Sequence, residues 1–178
     1  ANNFDFGTEV FTIELWVWPI SLTTGGFYKR IWVIGSAYND SLSLTAQSND
    51  NLFHVRYDDT IILSSNVAVT LNKWTHIAVV RKSGTMVLFI DGRANSSTGT
   101  SYSMNFGGDT FRIGASHSDP TNSSWNGYLQ DFRFYRGVAK YYETSYLPAS
   151  HNNPQIINSS PSGYAPSSKM KRPITGSG

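Results

Sequence analysis

Residues suited to covalent chemistry are scarce in this chain. Glutamate occurs at three positions only, Glu9, Glu14 and Glu143, in 178 residues. A retaining glycosidase sets two carboxyl groups about 5–5.5 Å apart, which on a strand means acids at i, i+2 or i, i+4 of one face. No strand read below carries such a pair, so the sequence argues against an enzyme of this class. Glu14 stands alone inside the aromatic-rich stretch Phe11–Trp18. It reads as a buried or half-buried carboxylate bonded to backbone or to an arginine, because buried polar groups need partners. His76 shares a strand face with Trp74, Ala78 and Val80, a core pattern that makes it a structural histidine. His54, His117 and His151 have no partner at metal-ligand spacing. Beyond an abundance of serine, nothing supports a Ser-His-Asp arrangement. The absence of cysteine removes thiol nucleophiles, Cys-ligated zinc and iron–sulfur centres.

Binding chemistry is better supplied. A sugar's apolar face stacks on an aromatic ring while its hydroxyls bond to amides, carboxylates or backbone. Trp125 lies in the polar loop Ser116–Asn126, and Tyr38 adjoins the turn residues Asn39 and Asp40. These are expected to meet at one rim of the fold as a glycan-binding set, with Tyr57, beside Asp58 and Asp59, as a further aromatic. Two readings stand for Trp125: a ring offered to a ligand, or the first residue of a strand, packed inward. The 12-residue EF-hand spacing is absent. Four Asn-x-Ser/Thr triplets, at Asn39, Asn95, Asn122 and Asn158, are about what this Asn- and Ser-rich composition gives by chance.

Composition limits the partners. The net charge is +2, but the basic residues are scattered, apart from Lys169, Lys171 and Arg172 near the end. Nucleic-acid binding needs a clustered basic footprint, so no nucleic-acid partner is expected. Apolar runs are only a few residues long, which excludes membrane insertion by a helix, and no signal peptide opens the chain. The first residue is Ala1, so the chain is expected to be processed, engineered or cut from something longer.

The elements that must position these residues are strands. Phe11, Ile13, Leu15 and Val17 alternate on one face until Pro19. Strands are predicted over 30–36 and 41–45, and over 51–57 and 60–63 across Asp58-Asp59. Further strands are predicted over 74–81 and 85–91 across Lys82-Ser83-Gly84, then over 110–115 and 128–135. Asp91-Gly92 marks a further turn. Many strands without helical crossovers predict an all-β, antiparallel two-sheet sandwich. After Pro148 the chain turns to Asn, Ser and Pro with few apolar anchors. The predicted organisation is therefore a sandwich over 1–148 and an extended tail or linker over 149–178.

Several stretches carry a family resemblance. They are Phe4–Thr8 leading into Phe11–Val17, Trp74–Arg81, Leu88–Gly92, Phe111–Gly114, and Trp125–Arg133 with Gly137–Tyr141. In this order they resemble the concanavalin A-like, laminin-G-type jelly roll, of the subgroup common in marine bacteriophage structural proteins and bacterial surface proteins. The resemblance covers roughly residues 4–148. It implies a calcium ion at the sandwich rim, for which Asp40, Asp119 and Asn122 are the candidate oxygen ligands, although they match the family's metal loops only roughly. Family members usually carry a strand ahead of the Phe4–Gly7 segment. The chain starts too late to hold it, and Gln155–Asn158 in the tail is a β-capable substitute.

The expected function is a non-catalytic structural or adhesion module on a virion surface, in a tail fibre or capsid protein, with glycan binding at a host cell. The alternative is a calcium-dependent glycan- or protein-binding domain of a bacterial or eukaryotic extracellular adhesion protein. Either way the expected partners are other virion or surface-protein subunits in a larger assembly, together with a cell-surface glycan.

Overall fold

The computed structural model describes residues 4–23, 27–37, 40–99, 102–106, 110–116, 123–141 and 143–148, except for the side chains of 36, 37 and 40. Ten strands and no helix occur among them. In chain order they are β1 Phe11–Pro19, β2 Tyr28–Ala37, β3 Asp40–Gln47, β4 Phe53–Tyr57, β5 Thr60–Ser64, β6 Thr75–Lys82, β7 Thr85–Ile90, β8 Arg93–Gly99, β9 Phe111–Ile113 and β10 Gly127–Arg136. Sheet one has the order β10-β1-β6-β7-β8 and sheet two the order β5-β4-β3-β2-β9. All pairings are antiparallel. The described residues thus form the antiparallel jelly-roll sandwich expected from the alternation, and all belong to the unit Ala1–Pro148. The expected tail, with Gln155–Asn158, lies outside the described residues.

Alternation decides which side chains meet between the sheets. Phe11, Ile13, Leu15 and Val17 of β1 and Ile77 and Val79 of β6 face Leu42, Leu44 and Ala46 of β3 and Phe53 and Val55 of β4 in one buried core. Phe6 closes one end, tilted against Phe11 and Phe134 with ring centroids 5.4 and 5.1 Å apart. The hairpins follow from residues that tolerate left-handed backbone. Asp58 and Asp59 have φ of 46° and 62°, Ser83 and Gly84 of 47° and 75°, and Asp91 and Gly92 of 48° and 77°.

Two differences from the sequence-based expectation have simple causes. Strand β8 was not foreseen, because Asn95, Ser96, Ser97 and Thr98 lack apolar alternation. It forms as an edge strand whose backbone pairs with β7, with Leu88 opposite Ser96. His76 does not face the interior, as its alternation with Trp74, Ala78 and Val80 suggested. That face of β6 is the outer one, and it is buried because Ala139, Tyr141 and Tyr146 fold back over it as part of a strap.

Candidate functional site

Both sheets have a second, outer face, and the two faces differ in chemistry. On sheet one, Ala78, Val80 and Phe89 pack against Ala139, Tyr141 and Tyr146 of the strap. The Thr12 hydroxyl donates to the Val138 carbonyl and accepts from the Lys140 amide, each at 2.9 Å. The Tyr146 amide donates to the Gly92 carbonyl at 2.6 Å. A side chain at residue 92 would meet the Tyr146 carbonyl at 2.0 Å, so the strap can close only over glycine.

Beneath the strap lies Glu14, 2% exposed. Lys140 Nζ donates to its Oε1 at 2.5 Å and the Tyr141 hydroxyl donates to its Oε2. Arg133 Nη1 and His76 Nε2 each stand 3.7 Å away. His76 Nδ1 is bonded to the Tyr146 hydroxyl at 3.1 Å. Burial lowers the His76 pKa to about 4 against the pull of Glu14, which keeps the imidazole neutral. Burial also raises the Tyr141 hydroxyl to about 12, with help from Glu14. Burial works against the Lys140 charge, but its bonds to Glu14 and Tyr141 outweigh that and raise its pKa. The carboxylate expected to be bonded to backbone or to an arginine is bonded mainly to a lysine and a tyrosine, with Arg133 farther off. Asp131 approaches the same cluster, and Arg133 Nη2 bonds its Oδ2 at 2.6 Å. One guanidinium thus stands between the two acids.

The outer face of sheet two is polar. Because Leu42, Leu44 and Ala46 point inward, Ser41, Ser43, Thr45 and Gln47 point outward, all nearly fully buried. Register places Thr45 between Arg30 and His54, Ser43 between Val33 and Arg56, and Gln47 opposite Tyr28. Arg30 Nη1 donates to Ser43 Oγ at 2.8 Å. The left-handed Asp58-Asp59 turn folds Asp59 back, so that Arg56 Nη2 donates to its carbonyl and, at 3.1 Å, to its Oδ1. Arg30 Nη2 lies 4.0 Å from the same Oδ1. The Arg56 guanidinium sits over the Tyr28 ring, 4.6 Å from its centroid. His54 is bonded to Ser64 Oγ at 2.9 Å and to Asp50 Oδ2 at 3.0 Å.

Donors on this face without a partner among the described residues include Gln47 Nε2 and Arg56 Nε. Sequence reasoning passed over it. The available signal was the run Ser41, Ser43, Thr45, Gln47 between core residues, next to His54 and Arg56 on the neighbouring strand.

The predicted rim set is placed only in part. Tyr38, Asn39, Asp119 and Asn122 lie outside the described residues. Asp40 opens β3, its backbone paired with Ala37, and its side chain is outside the description. Among the described residues no group of three His, Asp or Glu is gathered as a metal site. Trp125 is half-buried and packs against the core, with Nε1 donating to the Tyr128 carbonyl at 3.4 Å. Tyr57 also packs against the core and stacks on Tyr102, with centroids 4.4 Å apart.

Residues 1–140 match the family profile of the concanavalin A-like lectin/glucanases superfamily, laminin-G type. The chain belongs to this superfamily. No curated protein matches the concanavalin A-like chain. Similar folds occur in solved structures. One, from Bacteroides ovatus ATCC 8483, is provisionally named a carbohydrate binding protein (TM-score 0.61, 14% identity, 76% of this chain and 39% of that one). Another is domain 4 of AbnA, an extracellular GH43 arabinanase from Geobacillus stearothermophilus, in complex with arabinotriose (TM-score 0.56, 20% identity, 74% and 62%). A third is the CBM40 of the Ruminococcus gnavus IT-sialidase, bound to α2,3-sialyllactose (TM-score 0.59, 14% identity, 72% and 76%). The chain spans less than two thirds of the first two. At these identities the likeness concerns the fold, which these carbohydrate-binding proteins share.

Proposed function

We propose that this concanavalin A-like chain is a non-catalytic, carbohydrate-binding module that works outside the cell or on a virion surface, as one part of a larger assembly. The observation that carries the reading is the outer face of sheet two. Ser43, Thr45, Gln47, His54 and Arg56 form a buried hydrogen-bonding floor beside the Tyr28 ring, and two of its donors lack acceptors within the described fold. A buried donor without an acceptor costs about 1–3 kcal/mol, which a ligand oxygen would recover. Tyr28 adds the aromatic surface that a pyranose ring uses. That the similar structures include sugar-complexed modules supports the same reading.

Catalysis is disfavoured by the way the acids are held. Glu14 is enclosed under the strap, and Arg133 occupies the space between it and Asp131 where substrate would have to stand. Weak single contacts would suffice if the module is displayed in many copies on a particle, since linked sites raise avidity. The scattered basic residues favour surface-protein subunits and a cell-surface glycan over nucleic acid as partners.

A glycan array probed with the multimerised full chain tests this reading, run with calcium and with a chelator. Binding that is lost on Arg56→Ala is expected. Failure to bind any glycan in either condition would overturn it. Calcium at Asp40, Asp119 and Asn122 belongs to the proposal only as the arm in which chelation abolishes binding.

A further inference from the structure

We infer that the end of sheet one's outer face beyond the strap is a second sugar-contacting site, built from Tyr128, Trp18 and Trp74 and suited to a neutral glycan chain whose successive rings twist. It rests on the carbohydrate-binding reading above for the class of ligand, but it uses none of the residues of sheet two.

Alternation and register put the three rings in one row. Val17 and Leu129 stand opposite each other and pack in the core, so Trp18 and Tyr128, the next opposed pair of β1 and β10, share the outer face. Opposed side chains on one face have Cβ atoms about 4.5–5.5 Å apart. Trp74, just before β6, stands on the other side of Trp18, with ring centroids 5.7 Å apart. The row thus crosses three neighbouring segments, about 10 Å at the usual strand spacing, which suits two adjoining sugar residues. The strap's Tyr146 reaches His76, opposite Trp16, and the row lies one outer-face position further along β1. Tyr128 is 61% exposed, and both tryptophans are half-buried, so the rings are seated and still accessible. Backbone bonds fix the flanks. The Ile20 amide donates to the Asn126 carbonyl at 2.9 Å and the Asn72 amide to the Pro19 carbonyl at 2.8 Å. Rings fixed in this way lose little freedom when a ligand arrives.

The chemistry of the row and its border names the ligand. Aromatic faces are electron-rich and complement the C–H groups that line the apolar face of a pyranose. Hydrogen-bonding groups stand beside them: Gln130, two residues from Tyr128 on the same face and opposite Trp16, and Asp91, whose Oδ1 accepts from the His76 amide at 2.9 Å. Lys73 Nζ lies 3.8 Å from Asp91 Oδ2, so these two charges offset each other and the border favours a neutral sugar over an acidic one. The planes of Trp18 and Trp74 are inclined by 64°. A flat ribbon of sugars cannot lie on both rings, whereas a twisting chain presents its next residue at an angle.

The test uses the intact chain. Calorimetry measures binding of xylohexaose, a neutral chain that twists, and of an oligogalacturonate, its acidic counterpart, while a pull-down measures retention on crystalline cellulose, a flat surface. Xylohexaose is expected to bind, with the affinity lowered about tenfold by Tyr128→Ala and by more than that in Trp18→Ala. Melting curves check the fold of each variant, and the exposure of Tyr128 keeps the first decisive even if the second unfolds. Xylohexaose binding that is absent, or unchanged in Tyr128→Ala, while other glycans bind would overturn the inference and leave the carbohydrate-binding reading standing. Equal retention on crystalline cellulose would overturn the choice of a twisted chain, and tighter binding of the oligogalacturonate the choice of a neutral one. Self-association removed by Tyr128→Ala, in place of sugar binding, would make the row an interface between copies and overturn the inference. Binding to no glycan at all would overturn both readings.

Discussion

The outer faces of the two sheets are both buried, yet they are buried in opposite ways. On sheet one the chain supplies its own cover, and the charged group beneath it, Glu14, finds partners within residues 76–141. On sheet two the floor is just as polar, but Gln47 Nε2 and Arg56 Nε find no acceptor among the described residues. The difference separates polar groups whose work is finished by folding from those whose work remains. A closed network rigidifies, whereas unmatched donors leave the second face with hydrogen bonds that folding does not complete.

The comparison is broken most severely at Gly92. Replacing it by Ala puts a methyl group against the Tyr146 carbonyl, in backbone of φ 77°. The strap should lift, with a loss of about 4 kcal/mol in urea unfolding, and the outer face of sheet one should become accessible to hydrogen exchange. An unchanged midpoint would mean that the strap adds nothing to stability. Glu14→Ala comes next. It leaves Lys140 and Arg133 without their shared anion and removes the acceptor of Tyr141, for a loss of about 3 kcal/mol, near the lower limit for a buried pair because both cations are partly exposed. Glu14→Gln should recover about half of that, since the amide oxygen still accepts a hydrogen bond.

A smaller effect comes from pH. The His76 pKa falls to about 4 in the folded chain, from 6.5 when exposed. On acidification the unfolded chain therefore takes up the proton first. His76 costs nothing above about pH 6.5, and stability is lost progressively as pH falls from there to about 4. Between pH 7.5 and 5 the expected loss is about 2 kcal/mol, which should disappear from the difference between wild type and His76→Gln. A profile identical in the two proteins would refute the buried neutral imidazole. The smallest stability effect belongs to sheet two. Arg56→Lys should cost under about 1 kcal/mol, because Asp59, its partner, is 47% exposed on its side chain. A large loss there would mean that the second face, like the first, is structural.

Much of this was legible in the residues. The β1 alternation, the Asp58-Asp59 and Asp91-Gly92 turns and the 74–81 and 85–91 hairpin all lie close to their predicted places, because strand periodicity and left-handed turn residues are local signals. Strand β8 was illegible because its residues are polar, and only pairing with β7 makes them a strand. The burial of Glu14 was legible from its apolar neighbours. Its partners Lys140 and Tyr141 were not, since they arrive from 126 and 127 residues away.

The sequence by itself determined that this is a sandwich of antiparallel strands, and which residues of each strand share a face. Alternation with period two is written residue by residue and survives any later rearrangement. Only the tertiary structure decided which face lies inward and what covers the other, so His76 and Ala78 moved from the expected core to the outer face. That choice depends on the total apolar area buried when two sheets and a strap close together, a property of the folded whole. The same fold brings Arg56 of β4 over the Tyr28 ring of β2, which no spacing in the chain announces.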